Sequence, residues 1–127
     1  MKLNKEIELN LKLKLISVFN PAERLDELGE IPKLPNGLID YWQAGKLLCE
    51  KDGGRMPTCE ELQLISAADR AGLIDTGLDQ DKWFWSSTED SSYPQYNARI
   101  VDFNDGYRST YDKGNYGSYF AVLCVGK

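Results

Sequence analysis

The stretch WFWSSTE, residues 83–89, decides how this sequence is interpreted, because it begins a region of short apolar runs separated by small polar residues. The region is rich in Tyr, Ser, Asn, Asp and Gly, and it ends in the apolar run YFAVLCV, residues 119–125. Aromatic side chains offer large contact area with few rotatable bonds, and the short polar side chains between them offer adaptable hydrogen bonds. The last third of the chain therefore has the composition of a recognition surface, and we expect a binding protein.

Four short strands are predicted in this region, over residues 83–87, 97–103, 107–111 and 119–125. Asp105-Gly106 lies between the second and the third strand and favours a hairpin, because central residues of such turns adopt positive φ. Successive side chains of a strand alternate between its faces, so at least one of the three aromatic residues 83–85 should point outward or into a neighbouring subunit.

A first helix is predicted before the strands, from about Asp40 to Lys51, and Gly53-Gly54 ends it. Its expected inward face has helical spacing and consists of Tyr41, Ala44, Leu47 and Leu48.

A second helix follows Pro57 and is predicted to end at Gly72. Thr58 and Glu61 have the spacing of a capping box, in which each side chain bonds the other residue's backbone N–H. The expected inward residues are Leu62, Ile65 and Ala68.

The N-terminal residues alternate strictly between apolar positions (7, 9, 11, 13 and 15) and charged or polar positions. This period of two predicts a strand with one buried face. The strand could be the edge of the domain's own sheet or could be exchanged with another subunit, and the sequence leaves both open. The acidic stretch 23–30 predicts a turn or two of helix, and IPKLPNG at 31–37 predicts a loop. We therefore expect an N-terminal strand and Pro-rich connector over residues 1–37 and a compact domain over 38–127. The order of elements predicts the α+β class.

Composition excludes several kinds of function. A chain of 127 residues, 42% hydrophobic, is long enough for one compact domain. A net charge of -5 argues against a nucleic-acid partner, which needs clustered Lys and Arg. The absence of histidine removes Ser-His-Asp and Cys-His catalysis. No apolar run reaches the length of a membrane span, and the N-terminus lacks the apolar core of a signal peptide, so we expect cytoplasmic synthesis without membrane insertion.

Several motifs occur in order: GRMPT at 54–58 with Glu61-Leu62, FWSSTE at 84–89, FNDG at 103–106 and LCV at 123–125. Together they resemble the Legionella collagen-like protein C-terminal domain family, a module of bacterial and phage proteins, over about residues 41–125. The resemblance implies a C-type-lectin-like fold, with two helices packed on short antiparallel sheets, that binds a glycan or a protein surface. Its FWSSTE motif places Trp85 in the middle of a sheet, so we expect Trp85 to be buried. Gly54 stands where the family commonly has an aromatic residue, and Leu123 stands where it commonly has Arg. Both departures weaken the transfer of a ligand from another member.

The resemblance also implies that Cys49 and Cys124 are neighbours, as in the long-range disulfide of lectin-like domains. A bridge would remove unfolded-state entropy, but a reduced pair packed as small apolar side chains is equally physical, so both redox states are open. Cys59 would sit at a helix N-terminus, where the helix dipole favours a thiolate. Without a histidine base, we favour an ordinary first-turn residue.

No metal or cofactor is expected. C-type lectins that bind sugar through calcium use a Glu-Pro-Asn or Gln-Pro-Asp loop, and no Glu-Pro-Asn-like tripeptide occurs in this chain. Asp102, Asn104 and Asp105 could supply oxygen ligands to a hard cation. We favour the simpler interpretation that residues 104–107 form a hairpin turn.

The sequence therefore predicts a non-enzymatic binding module, associated with a phage virion or tail or with a bacterial surface. The predicted contact residues form two clusters of exposed polar and aromatic type: Tyr93, Gln95, Tyr96 and Asn97; and Asn104, Tyr107, Arg108, Tyr111, Asn115 and Tyr116. The N-terminal strand would attach the domain to a larger assembly or a homo-oligomer. The region could instead be scaffold only. The alternative function is a small acidic structural or inhibitory protein, a virion decoration subunit or phage-encoded blocker, that contacts one protein through residues 23–30.

Overall fold

The computed structural model describes residues 14–73, 75–77, 82–114 and 120–127. These residues form an α+β fold with three helices and two small antiparallel sheets. In chain order the elements are β1 (Leu15–Phe19), a 3-10 helix (Pro21–Glu27), α1 (Tyr41–Lys51), β2 (Gly54–Arg55), α2 (Cys59–Arg70), β3 (Trp83–Glu89), β4 (Asn97–Asp102), β5 (Arg108–Asp112) and β6 (Val122–Gly126). None of the described helices is long and apolar enough to cross a bilayer.

The two sheets have the strand orders β1-β6-β2 and β3-β4-β5. They are joined at Ala121, whose N–H donates to the Trp83 carbonyl at 3.0 Å and whose carbonyl accepts from the Trp85 N–H at 2.9 Å.

The predicted strands at 83–87, 97–103 and 107–111 are present, with ends shifted by up to two residues. The last strand is shorter than predicted, because it begins at Val122.

Strands β3, β4 and β6 bury residues on both faces, and each face packs with a different helix. The first core cluster includes residues of α1 and of one strand face: Trp42, Cys49, Trp85, Ile100, Val122 and Cys124. The second includes residues of α2 and of the other strand face: Leu62, Ile65, Phe84, Val101, Leu123 and Val125. Trp85 is buried, as predicted, and Trp83 is the partly exposed member of its aromatic run.

The prediction for α2 is confirmed in detail. The Thr58 side chain accepts from the Glu61 N–H, and the Glu61 carboxylate accepts from the Thr58 N–H at 2.9 Å, which is the predicted capping box. Leu62, Ile65 and Ala68 are all buried. Arg55 adds two hydrogen bonds of 2.7 Å to the Glu61 carboxylate and, as the largest cause, lowers the pKa of Glu61 to about 2.

The predicted inward face of α1 is partly wrong. Ala44 and Leu48 are buried, but Tyr41 and Leu47 are only half-buried. The other buried residues of the helix are Trp42, Gly45 and Cys49. Gly45 lets the helix approach β6 closely, since a Cβ there would lie 2.8 Å from Val122 Cγ2. Close packing at Gly45 therefore turns the helix so that Trp42 enters the core.

Residues 14–37 contact the rest of the described chain directly. β1 pairs antiparallel with β6 and is the edge of its sheet among the described residues. The Arg24 guanidinium donates to the Asp52 carboxylate at 2.8 Å and to Glu27 at 2.7 Å, and the Ser17 hydroxyl donates to Asp52 at 2.7 Å. These bonds connect β1, the 3-10 helix and the end of α1. Apart from its last two residues, the predicted strand over 7–15 lies outside the described residues.

Candidate functional site

The predicted contact residues lie at opposite ends of the β4–β5 hairpin. Tyr93, Gln95, Tyr96 and Asn97 belong to one end, in the loop that leads into β4. Asn104, Tyr107 and Arg108 belong to the other end, at the turn between β4 and β5. The six residues of β4 separate the two groups by about 17 Å at the rise of an extended strand. The structure therefore does not bring the predicted residues into one site.

Residues 90–97, which we call the Tyr93 loop, are fixed through their backbone. The Asp90 N–H donates to the Asn97 carbonyl at 3.0 Å, so the two ends of the loop meet. The Asp90 carboxylate is buried and accepts from the Tyr93 N–H at 3.2 Å. The Tyr93 carbonyl accepts from the N–H groups of Tyr96, at 3.2 Å, and Asn97, at 2.9 Å. Each of these bonds restricts the loop without using an outward-facing side chain.

Lys113 is a buried lysine that bonds the backbone of the Tyr93 loop. Only 3% of Lys113 is exposed, although a lysine is rarely buried without partners. Its Nζ donates to the Pro94 carbonyl at 2.7 Å and to Glu89 Oε2 at 2.9 Å. Its backbone N–H donates to the Tyr96 carbonyl at 2.7 Å. Lys113 therefore bonds the loop at two points.

Trp42 completes the support behind the loop. The Lys113 ammonium lies 4.0 Å from the Trp42 ring centroid, and the Lys46 ammonium lies 4.5 Å from the same centroid. The indole N–H donates to the Ser86 carbonyl at 2.7 Å, which ties α1 to β3. Two cation–π contacts on a buried ring are favourable because little water screens them. Asp40, which caps α1 through the Gln43 N–H, has its pKa raised by burial.

The side chains of residues 91–95 take no part in these bonds and point to solvent. Ser91, Ser92, Tyr93, Pro94 and Gln95 are all exposed, and Tyr93 is 67% exposed. Tyr96 and Asn97 are half-buried. The loop thus combines a fixed backbone with exposed aromatic, hydroxyl and amide groups.

Tyr111 extends the same end of the hairpin. It pairs with Ala98 across the β4–β5 ladder and lies edge-on to Phe120, at 4.9 Å between ring centroids. Phe120 in turn contacts Trp85 at 5.2 Å. Tyr111 is therefore an exposed continuation of the first core cluster. Asn115 and Tyr116, the remaining predicted residues, lie outside the described residues.

The turn between β4 and β5, residues 103–107, is built differently, and we call it the hairpin tip. The predicted hairpin is confirmed, but its loop has four residues, 103–106, instead of two. The Asp102 N–H donates to the Tyr107 carbonyl, and the Gly106 N–H donates to the Asp102 carbonyl. Gly106 has a φ of 78°, which favours glycine. The tip is also bonded to α2, because the Ser66 hydroxyl donates to the Phe103 carbonyl and the Gln63 amide donates to the Gly106 carbonyl.

Polar side chains of the tip are largely engaged in making the turn. Asp102 Oδ1 accepts from the Asn104 N–H at 2.9 Å, and Asp105 Oδ1 accepts from the Tyr107 N–H at 2.9 Å. Tyr107 is 63% exposed and contacts the edge of Trp83 at 6.4 Å between centroids. Within the described residues, no three His, Cys, Asp or Glu side chains gather in a group able to hold a metal ion.

The cysteines have distinct positions. Cys49 and Cys124 form a disulfide in the core, 75 residues apart in sequence. Cys59 is fully buried in the second core cluster, and burial raises the pKa of its thiol. The helix dipole would favour a thiolate, but burial outweighs it. Cys59 is therefore a packed first-turn residue.

Sequence reasoning missed both Lys113 and Trp42. The signal for Lys113 is weak, since a single lysine at the end of a strand is normally solvent-exposed. Trp42 carried a clearer signal, because a tryptophan in the first turn of an amphipathic helix is expected to bury most of its ring.

No family model, curated protein or solved structure matches this chain.

Proposed function

We propose that this protein is a non-enzymatic binding module of C-type-lectin-like architecture that recognises a glycan or a protein surface through the Tyr93 loop and Tyr111. The proposal rests on a loop whose backbone is fixed by hydrogen bonds while its side chains are exposed. A loop already fixed in one conformation loses little conformational entropy on binding, so its contacts contribute more of their energy to affinity. Tyr, Ser and Gln are side chains that adaptable recognition surfaces use.

The ordered motifs that resemble the Legionella collagen-like protein C-terminal domain family support this proposal from a different direction. They lie in or beside α2, β3 and β6 and at the hairpin tip, and they include Trp85 and the disulfide-bonded Cys124. In this proposal the protein acts on a phage virion or tail or on a bacterial surface. Several copies in one assembly would compensate for weak individual contacts.

A matched pair of variants tests the proposed site. Tyr93 and Tyr107 are the same residue type with 67% and 63% exposure, at opposite ends of the hairpin. Labelled wild type, Tyr93→Ala and Tyr107→Ala would be applied to a glycan array and to fixed bacterial cells. We expect Tyr93→Ala to weaken the strongest signal at least tenfold, about 1.4 kcal/mol, and Tyr107→Ala to retain the binding that depends on the loop, because the Tyr107 ring contacts Trp83 and not the loop. Retention by Tyr93→Ala would refute the assignment.

The proposed assembly role of the N-terminus has its own test. Residues 15–19 form β1 and belong to the sheet, so truncation must leave them intact. Light scattering would compare the full chain with a variant that begins at residue 14. We expect a full-length oligomer and a folded truncated monomer. An unchanged mass would assign no assembly role to residues 1–13.

The alternative function, a small acidic protein that binds one basic partner, is favoured by one observation. Glu23, Asp26 and Glu30 are exposed on or beside the 3-10 helix, and none of them forms an ion pair within 4 Å among the described residues. Glu27 differs, because it pairs with Arg24 and Lys51. Asp26→Lys with Glu30→Lys, leaving Glu27 intact, is therefore the informative variant. Loss of binding there, with Tyr93→Ala unaffected, would favour this function.

A further inference from the structure

A second surface lies away from the Tyr93 loop, where β1 meets the start of β3. A cleft of about 370 Å³ opens there, which we call the Trp83 cleft. Val18, Phe19, Asn20 and Glu23 line one wall, and Lys82 and Trp83 line the other. Its volume is near the lower end of the range for small-molecule sites, so it would accommodate one small ligand unit.

The aromatic side chains of the cleft are held in place before any ligand arrives. Trp83 packs against the first core cluster and is braced by the ring of Tyr107. Phe19 packs against the same cluster, and the Arg24 guanidinium lies 4.5 Å from its ring centroid. Trp83 is nevertheless partly exposed, whereas Trp42 and Trp85 are 4% and 0% exposed. The cleft therefore presents a fixed indole to solvent.

The polar groups of the cleft are of opposite charge and are uncommitted. Glu23 offers a carboxylate and Lys82 an ammonium, and both residues are exposed. Among the described residues, neither side chain forms an ion pair within 4 Å. Asn20 is different, because its side chain already accepts from the Ala22 N–H at 3.0 Å and so forms part of the wall. An acceptor and a donor thus face solvent on opposite walls beside an aromatic ring.

We propose that the Trp83 cleft binds one carbohydrate residue. Each sugar hydroxyl both donates and accepts hydrogen bonds, so a site for a sugar needs an acceptor and a donor, here Glu23 and Lys82. One face of a pyranose ring carries weakly positive C–H groups, which complement the negative face of an indole. A zwitterionic amino acid fits less well, because it would rely on two solvent-exposed ion pairs, which contribute little. This site does not depend on the Tyr93 loop.

The experiment follows the indole N–H signals of the three tryptophans by NMR while methyl glycosides of glucose, galactose, mannose and N-acetylglucosamine are added to millimolar concentrations. We expect at least one sugar to shift the Trp83 signal saturably and to leave those of Trp42 and Trp85 in place. Glu23→Gln and Lys82→Met, both exposed changes, should weaken that sugar at least tenfold. Glu30→Gln and Lys33→Met are matched controls outside the cleft and should not.

Three results would overturn the proposal: no saturable shift with any sugar, a shift that Glu23→Gln and Lys82→Met both retain, or a saturable shift with free leucine in place of sugars. Tyr93→Ala separates this proposal from the proposed function. If Tyr93→Ala abolishes array binding and no sugar reaches Trp83, the loop functions and the cleft does not. If the sugar titration is intact in Tyr93→Ala and array binding persists, the cleft functions and the loop assignment fails.

Discussion

The two ends of the β4–β5 hairpin have similar composition but are held by different hydrogen bonds. Both turns contain Asp, Asn and Tyr. At the hairpin tip, the carboxylates of Asp102 and Asp105 are engaged with the turn's own N–H groups, and Tyr107 leans on Trp83. At the Tyr93 loop, the buried Asp90 and Lys113 hold the backbone, and the side chains of residues 91–95 face solvent.

Composition alone therefore does not identify a recognition surface. A turn that consumes its own polar side chains has few of them left for a ligand. The Tyr93 loop uses one carboxylate, that of Asp90, for its own turn and receives further support from Lys113, so residues 91–95 keep their side chains available on a fixed backbone. Variants that act on one end and spare the other separate the two constructions.

Removal of the disulfide should weaken both ends equally. The bridge closes a loop of 75 residues, so Cys49→Ala with Cys124→Ala should lower the free energy of unfolding by about 4 to 5 kcal/mol in the chain-entropy model. Urea unfolding measures the loss, and hydrogen exchange should show reduced protection at both ends. Cys59→Ala closes no loop and should cost much less. A loss confined to one end would contradict the common scaffold.

Lys113→Met should affect the Tyr93 loop alone. Methionine fills similar space but leaves the Pro94 carbonyl without its donor and removes one cation–π contact, so we expect a loss of about 2 kcal/mol. Hydrogen exchange of the Tyr96 and Asn97 amides should accelerate. Lys46→Met is the matched control, because the Lys46 ammonium contacts Trp42 at 4.5 Å without supporting the loop. Faster exchange at the tip instead would refute the division into two ends.

Gly106→Ala should affect the tip alone. The residue has a φ of 78°, and a non-glycine residue there costs about 1 to 2 kcal/mol. The new Cβ would lie 2.9 Å from a terminal nitrogen of Arg70, which can move aside. Urea unfolding would measure the loss against Gly29→Ala, which meets no atom within 4 Å. Binding through the Tyr93 loop should be unchanged; a parallel loss of binding would mean that the tip contributes.

Low pH should first weaken ion pairs that lie outside both ends of the hairpin. Bonds from Arg24 lower the pKa values of Asp52 and Glu27 to about 2, and a bond from Arg55 does the same for Glu61. A lowered pKa stabilises the fold above the unfolded value near 4, and this contribution is lost as the pH falls toward 2. Solvent screening keeps the part due to Asp52 below about 1 kcal/mol. Unfolding between pH 5 and 2 should therefore show a smaller pH dependence in Arg24→Met; an unchanged slope would contradict this.

Local patterns in the sequence predicted much of the fold. The capping box of Thr58 and Glu61 and the Asp105-Gly106 hairpin both depend on residues close together in the chain, whereas the burial of Trp85 was expected from the motif that places it in the middle of a sheet. The burial of Lys113 could not be predicted in this way, because it depends on the distant Trp42 ring and on the Pro94 carbonyl. The face of α1 was misassigned because contact between Gly45 and β6 sets the rotation of the helix.

The contact residues show the same limit. Their types and their division into two clusters were readable from the sequence, but the placement of Tyr111 beside the first cluster depends on the strand register, in which Ala98 pairs with Tyr111. Register is a tertiary property, because it follows from how both strands meet the core.

We propose that the Tyr93 loop binds through exposed side chains on a backbone fixed by Lys113. The most direct test measures the affinity of wild type, Tyr93→Ala and Lys113→Met for the strongest array ligand, alongside the stability of each variant. We predict that Tyr93→Ala keeps its stability within about 0.5 kcal/mol and loses at least tenfold in affinity, and that Lys113→Met loses both. Full affinity in both variants, with the protein folded, would contradict the account.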